Sequence, residues 1–130
     1  MQALLIAAAV VAILTGIAHS VLGERLIFRH LRDGTLVPAL SAPPLQSRNV
    51  RIIWATWHLA SVFGWAFAGV LLQLGIGAEG LSPIHVMLRA TAGGYLGGSL
   101  LVFVGTRGRH PGWIALAVVA ALAWAAARIT

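Results

Sequence analysis

From Met1 the chain reads MQALLIAAAVVAILTGIAHSVLG, reaching Gly23 without one Asp, Glu, Lys or Arg. A helix rises about 1.5 Å per residue, so roughly 20 apolar residues cross the ~30 Å hydrocarbon core of a bilayer. This run is long enough to do so. It also lacks a positively charged n-region, so it reads as a retained span and not as a cleaved signal peptide. The same test, carried along the chain, finds three more stretches. Ile52–Ala78 is uncharged, Leu81–Thr106 is interrupted only by Arg89, and His110–Ala127 is short and rich in alanine. Four transmembrane helices are therefore expected, at about 3–22, 50–74, 82–105 and 111–127.

Composition agrees. The 130 residues are 59% hydrophobic and 9% charged, against about 25% charged for soluble domains. Such a chain cannot cover a water-facing surface. The reading is one all-α domain over 1–130, an integral membrane four-helix bundle. The absence of cysteine excludes a disulfide scaffold, thiolate metal sites and thiol redox chemistry.

Local signals mark the helix starts. Ser82-Pro83 reads as an N-cap followed by proline at the first helical position, His110-Pro111 opens the fourth helix similarly, and Ser47 or Asn49 can cap the second. Asp33-Gly34, Pro38, Pro43 and Pro44 break the long loop. Between the first span and that loop, ERLIFRHLRD (24–33) reads as a short interfacial amphipathic helix. Arg25, Arg29 and Arg32 share one face, suited to anionic lipid headgroups, and Ile27, Phe28 and Leu31 form the other.

All nine basic residues are arginine, giving a formal charge of +6. In a soluble protein that excess would suggest nucleic acid; here the arginines sit between apolar runs and report topology. Arg25, Arg29, Arg32, Arg48, Arg51, Arg107 and Arg109 fall on one side, and only Arg128, with Glu79, on the other. The positive-inside rule then puts both termini outside the cytoplasm. Trp113 and Trp124 near the two ends of the fourth helix suit interfacial anchors.

Ionisable groups within spans are costly and are functional candidates by default. His58 shares a helix face with Trp54, Ser61 and Trp65, and His19 lies in the same membrane half. Two histidines from neighbouring helices can ligate haem, bind a transition metal or relay protons. Glu24 can complete a metal or proton site with them, although it lies about 140° from His19 on a continuous helix. Arg89, with His85 one turn before it, can snorkel to the interface or form an anion or acidic-lipid site, and Glu79 can neutralise it. Gly93, Gly94, Gly97 and Gly98 give two overlapping GxxxG registers for close helix packing, within the chain or against another copy. No nucleophile triad, phosphate loop or HExxH pattern occurs, which leans away from an enzyme.

GIAHSVLGE (16–24), WHLASVFGW (57–65) and LVFVGTRGRH (101–110) resemble the small four-helix inner-membrane proteins of bacteria, and more distantly the DoxX-type proteins with their polar cluster after helix one. The resemblance implies a multi-pass bacterial inner-membrane location, with both termini periplasmic on the arginine count. The expected function is a binding or accessory module packing against another copy or a larger membrane complex. A haem- or metal-binding redox or proton-relay protein using His19 and His58, and a small homodimeric transporter, are the alternatives.

Overall fold

The computed structural model describes residues 1–77 and 82–129. It contains α1 (Gln2–Leu26), a 3₁₀ turn (Phe28–Leu31), α2 (Ser47–Ile76), α3 (Pro83–Thr106) and α4 (Gly112–Ile129). All four α-helices are long and apolar enough to cross a membrane. α1, α2 and α4 extend past the uncharged runs that announced them, because polar residues at the bilayer surface continue a helix whose backbone is already hydrogen-bonded, whereas α3 lies within its run. Packing runs α1 on α2, α2 on α3 and α3 on α4. The end where α1 stops and α2 starts carries most of the arginines and is called the basic end below.

One of the three expected start signals is found as expected: Ser82 Oγ accepts the backbone N–H of His85 with Pro83 in the first turn. At the fourth helix His110 Nδ1 accepts the N–H of Gly112 at 3.1 Å, but the helix begins at Gly112, so Pro111 precedes it instead of opening it. The second helix differs. Its N-cap is Gln46, without a side-chain hydrogen bond, so Ser47 and Asn49 lie inside the helix.

The 24–33 segment is not one amphipathic helix either. Ile27 leaves helical geometry (φ −120°, ψ −66°) and Arg32 is extended. The break lets Phe28 turn inward, where it is 1% exposed, edge-on to Trp57 at 6.0 Å and tilted against His58 at 5.9 Å. Arg25 and Arg29 stay exposed, whereas Arg32 folds back to Glu24. The common arginine face is therefore not formed. Burial of an aromatic ring and neutralisation of a carboxylate outweigh the amphipathic pattern here. The loop then returns to the helix end through Ala39 and Leu40 N–H groups donating to Leu31 O.

The buried residues of α1 are Ala9, Gly16 and Gly23, and those of α2 include Trp54, Ser61, Ala68 and Gly75. Both sets recur every seven residues, which keeps a seam on one side of a helix with little drift. In lipid there is no hydrophobic force between helices, so close backbone approach and hydrogen bonds hold them. The larger apolar residues point outward, among them Leu4, Val11 and Leu14 on α1 and Ile114, Leu122 and Trp124 on α4. The two glycine registers of α3 separate. A Cβ at Gly94 would lie 2.9 Å from Ala66 Cβ and one at Gly98 2.6 Å from Leu59 Cδ1, so this register is used against α2. Gly97 approaches Val62, and a Cβ at Gly93 meets nothing within 4 Å among the described residues.

Candidate functional site

The α1–α2 seam is closed by three indoles. Trp65 Nε1 donates to Ile13 O at 3.2 Å, Trp57 Nε1 to His19 O at 3.1 Å, and Trp54 Nε1 to Glu24 Oε1 at 2.5 Å. The first two lie flat over Gly16 and Gly23, where no side chain would fit. His19 answers Trp57 in kind. Its Nε2 donates to Trp57 O at 3.2 Å, and the two rings stack at 4.4 Å and 8°.

Glu24 is the centre of the site. Since α1 continues unbroken to Leu26, Glu24 turns away from His19 and meets α2. Oε1 contacts His58 Nε2 at 2.9 Å as well as Trp54, and Oε2 pairs with Arg32. Trp54 stands edge-on to His58 at 5.0 Å and Phe28 covers it from the loop side. The His58 side chain is 13% exposed, against 30% for Glu24. Arg32 Nε is buried with no hydrogen-bond partner among the described residues, a donor left over at the site's edge.

The other side of His58 fixes where its proton is. Ser61 Oγ donates to Gly16 O at 2.9 Å, and a carbonyl can only accept. With Ser61's one hydrogen committed, the 2.9 Å contact between the two serines must be donated by Ser20. Ser20's hydrogen is then committed too, so in the 2.9 Å contact with His58 the Nδ1–H donates. A single proton therefore remains to be placed between His58 Nε2 and Glu24 Oε1. It gives an imidazolium beside a carboxylate, or an imidazole beside a carboxylic acid. The hydroxyl chain ends at the Gly16 carbonyl and opens no path along α1 beyond it.

No protein-family model, curated protein or solved structure matches this chain.

The expected residues fall into three groups. His58 and Glu24 are brought together, with Arg32 recruited from the supposed lipid face. His19 belongs to the same seam but is engaged with Trp57, one residue before His58. The donor set does not fit haem or a metal ion. Both His58 nitrogens and both Glu24 oxygens are occupied by protein groups, and no cluster of three or more His, Cys, Asp or Glu occurs among the described residues. Arg89 and His85 are elsewhere. Arg89 lines a 470 Å³ groove between α2 and α3 with Gln73, Trp65 and Gly93, and the His85 Nδ1 pairs with the capping Ser82 hydroxyl. Glu79, the expected neutraliser of Arg89, lies outside the described residues.

Sequence reasoning placed Trp54 and Ser61 on the His58 face but missed Ser20 and the Arg32–Glu24 pair. A signal for Ser20 existed. It sits one turn beyond Gly16 and one before Glu24, and the seven-residue recurrence of small residues marks that side of α1 as the packed one.

Proposed function

We propose that this protein is a proton-responsive module of the bacterial inner membrane, with both termini periplasmic, whose working group is the Glu24–His58 pair. The observation that carries the reading is the committed hydroxyl chain, which leaves one shared proton between Nε2 and Oε1. The pair lies at the basic end, which the arginine distribution assigns to the cytoplasm. Glu24 is partly exposed there, so the proton exchanges with that side alone.

Its consequence is mechanical. Glu24 is held by Trp54 and His58 of α2 and by Arg32 of the loop, so one side chain ties three segments. Adding or removing the shared proton changes the charge of the tie and its hold on Arg32. The module thus signals pH by tightening or loosening the α1–loop–α2 junction. An accessory role beside another copy or in a larger complex is compatible with this, and the open Gly93 side of α3 supports such packing.

The test is infrared difference spectroscopy of the protein in nanodiscs, taken between acidic and neutral pH, with wild type and Glu24→Gln. A carboxylic-acid C=O band that appears on acidification and is lost in Glu24→Gln, with an accompanying imidazole band absent from His58→Gln, is the expected result. A wild-type spectrum in which no band depends on Glu24 anywhere in the pH range of the folded protein would overturn the proposal.

A further inference from the structure

A second site stands apart from the first. Between the start of α2 and the α3–α4 connection lies an open cavity of about 940 Å³, lined by Ser47, Arg48, Arg51, Arg107, Arg109 and His110 among others. Four arginines from two distant segments thus line one cavity. The positive-inside rule explains why arginines occur on this side, but not why four of them share one cavity. Arg51 feels the repulsion of both Arg107 and Arg109. The only ion pairs among the described residues are those at Glu24, so no acid answers this charge.

Two backbone features add to it. The first turn of α2 carries neither an acidic residue nor a side-chain cap, so the positive end of the helix dipole opens beside Ser47 and Arg48. Arg107 is the one non-glycine residue with positive φ (54°) among the described residues. Glycine adopts that conformation without strain, whereas in any other L-residue the Cβ crowds the following carbonyl oxygen. The turn is closed by Arg107 and Gly108 N–H groups bonding back to the end of α3. Arginine here is a strained choice that turns a fourth cation toward its like charges.

The geometry points to a binding site for an anion bearing two phosphate groups, held by Arg48, Arg51, Arg107 and Arg109. Two phosphate groups carry about two negative charges as the diesters of a lipid headgroup and about three to four as monoesters; in either form their oxygens suit guanidinium groups, which grip phosphate in bidentate fashion. The cavity is too large for one phosphate alone and sits at membrane-surface depth. Lipid headgroups and soluble diphosphates share this chemistry.

The experiment compares the double variant Arg51→Gln/Arg107→Gln with Arg25→Gln/Arg29→Gln, which removes the same charge at the same end but outside the cavity. Lipid retention is read by native mass spectrometry from nanodiscs doped with cardiolipin or, separately, phosphatidylglycerol. Affinity for pyrophosphate against orthophosphate is read by calorimetry in detergent. Preferential retention of cardiolipin or tighter binding of pyrophosphate, weakened at least about tenfold in the cavity variant and under about threefold in the control, is expected. The first pattern assigns the site to a lipid, the second to a soluble anion. Equal losses in both variants, or no preference for two phosphates over one, would overturn the proposal. Should the cavity variant not fold, the wild-type preferences decide: cardiolipin over phosphatidylglycerol, or pyrophosphate over sulfate at equal ionic strength, and the absence of both is equally fatal.

Discussion

Replacing Gly23 by alanine adds one methyl group to a site already occupied. The new Cβ would stand 2.2 Å from Trp57 Nε1, 2.7 Å from Cε2 and 2.8 Å from Cδ1. The indole cannot retreat freely, because His19 stacks on it and Phe28 abuts it edge-on. Either the helices separate or the ring leaves its place, and both break the 3.1 Å bond from Trp57 Nε1 to His19 O. Overpacking costs about 1–3 kcal/mol, a hydrogen bond between membrane helices about 0.6, and an aromatic contact about 0.5–1.5. The gain in helix propensity from glycine to alanine returns less than about 1 kcal/mol. A net destabilisation of about 2–3 kcal/mol follows from those terms. Gly93→Ala is the matched control, since the same methyl group there meets open space and should be neutral or slightly stabilising. Reversible unfolding of both variants in mixed micelles, followed by tryptophan fluorescence, measures the difference. If Gly23→Ala proves as stable as Gly93→Ala, the indole-over-glycine seam is not what holds α1 to α2.

Three further outcomes are expected. Ser20→Ala removes the acceptor of His58 Nδ1–H; it should cost about 1–3 kcal/mol and move the His58 ¹⁵N resonances in solid-state spectra, whereas unmoved resonances contradict the proton assignment. Phe28→Ala empties a position that is 1% exposed, should cost about 3 kcal/mol, and should raise hydrogen exchange in the Ile27–Val37 loop, which a lipid-facing Phe28 would not do. A periplasm-only reporter fused after Thr130 should be active, and activity of a cytoplasm-only reporter at that position contradicts the orientation.

Four spans were legible because hydropathy is additive along the chain: every residue of a spanning helix must be tolerable in lipid whatever its neighbours are. Ser82-Pro83 was legible for a related reason, since a cap uses atoms three residues away. The candidate site was legible only as its members. His58, with Trp54 and Ser61 on its face, came from helical periodicity alone, and Glu24 stood out as an acid at the end of a span.

Their pairing was not legible, because it depends on the depth and rotation at which α1 meets α2. That match is set by indoles lying over Gly16 and Gly23, contacts between residues more than forty positions apart in one case (Gly16 and Trp65) and more than thirty in the other (Gly23 and Trp57). The amphipathic reading of 24–33 failed for a similar reason, since a helical wheel cannot weigh a salt bridge to Glu24 or a socket for Phe28 that another helix supplies. The basic cavity likewise joins arginines some 56 to 61 residues apart. The chain by itself determined that it crosses a membrane four times and which end is basic, because those properties are local sums. Only tertiary structure decided which polar groups meet, because a hydrogen bond in lipid exists or fails with displacements of about an ångström.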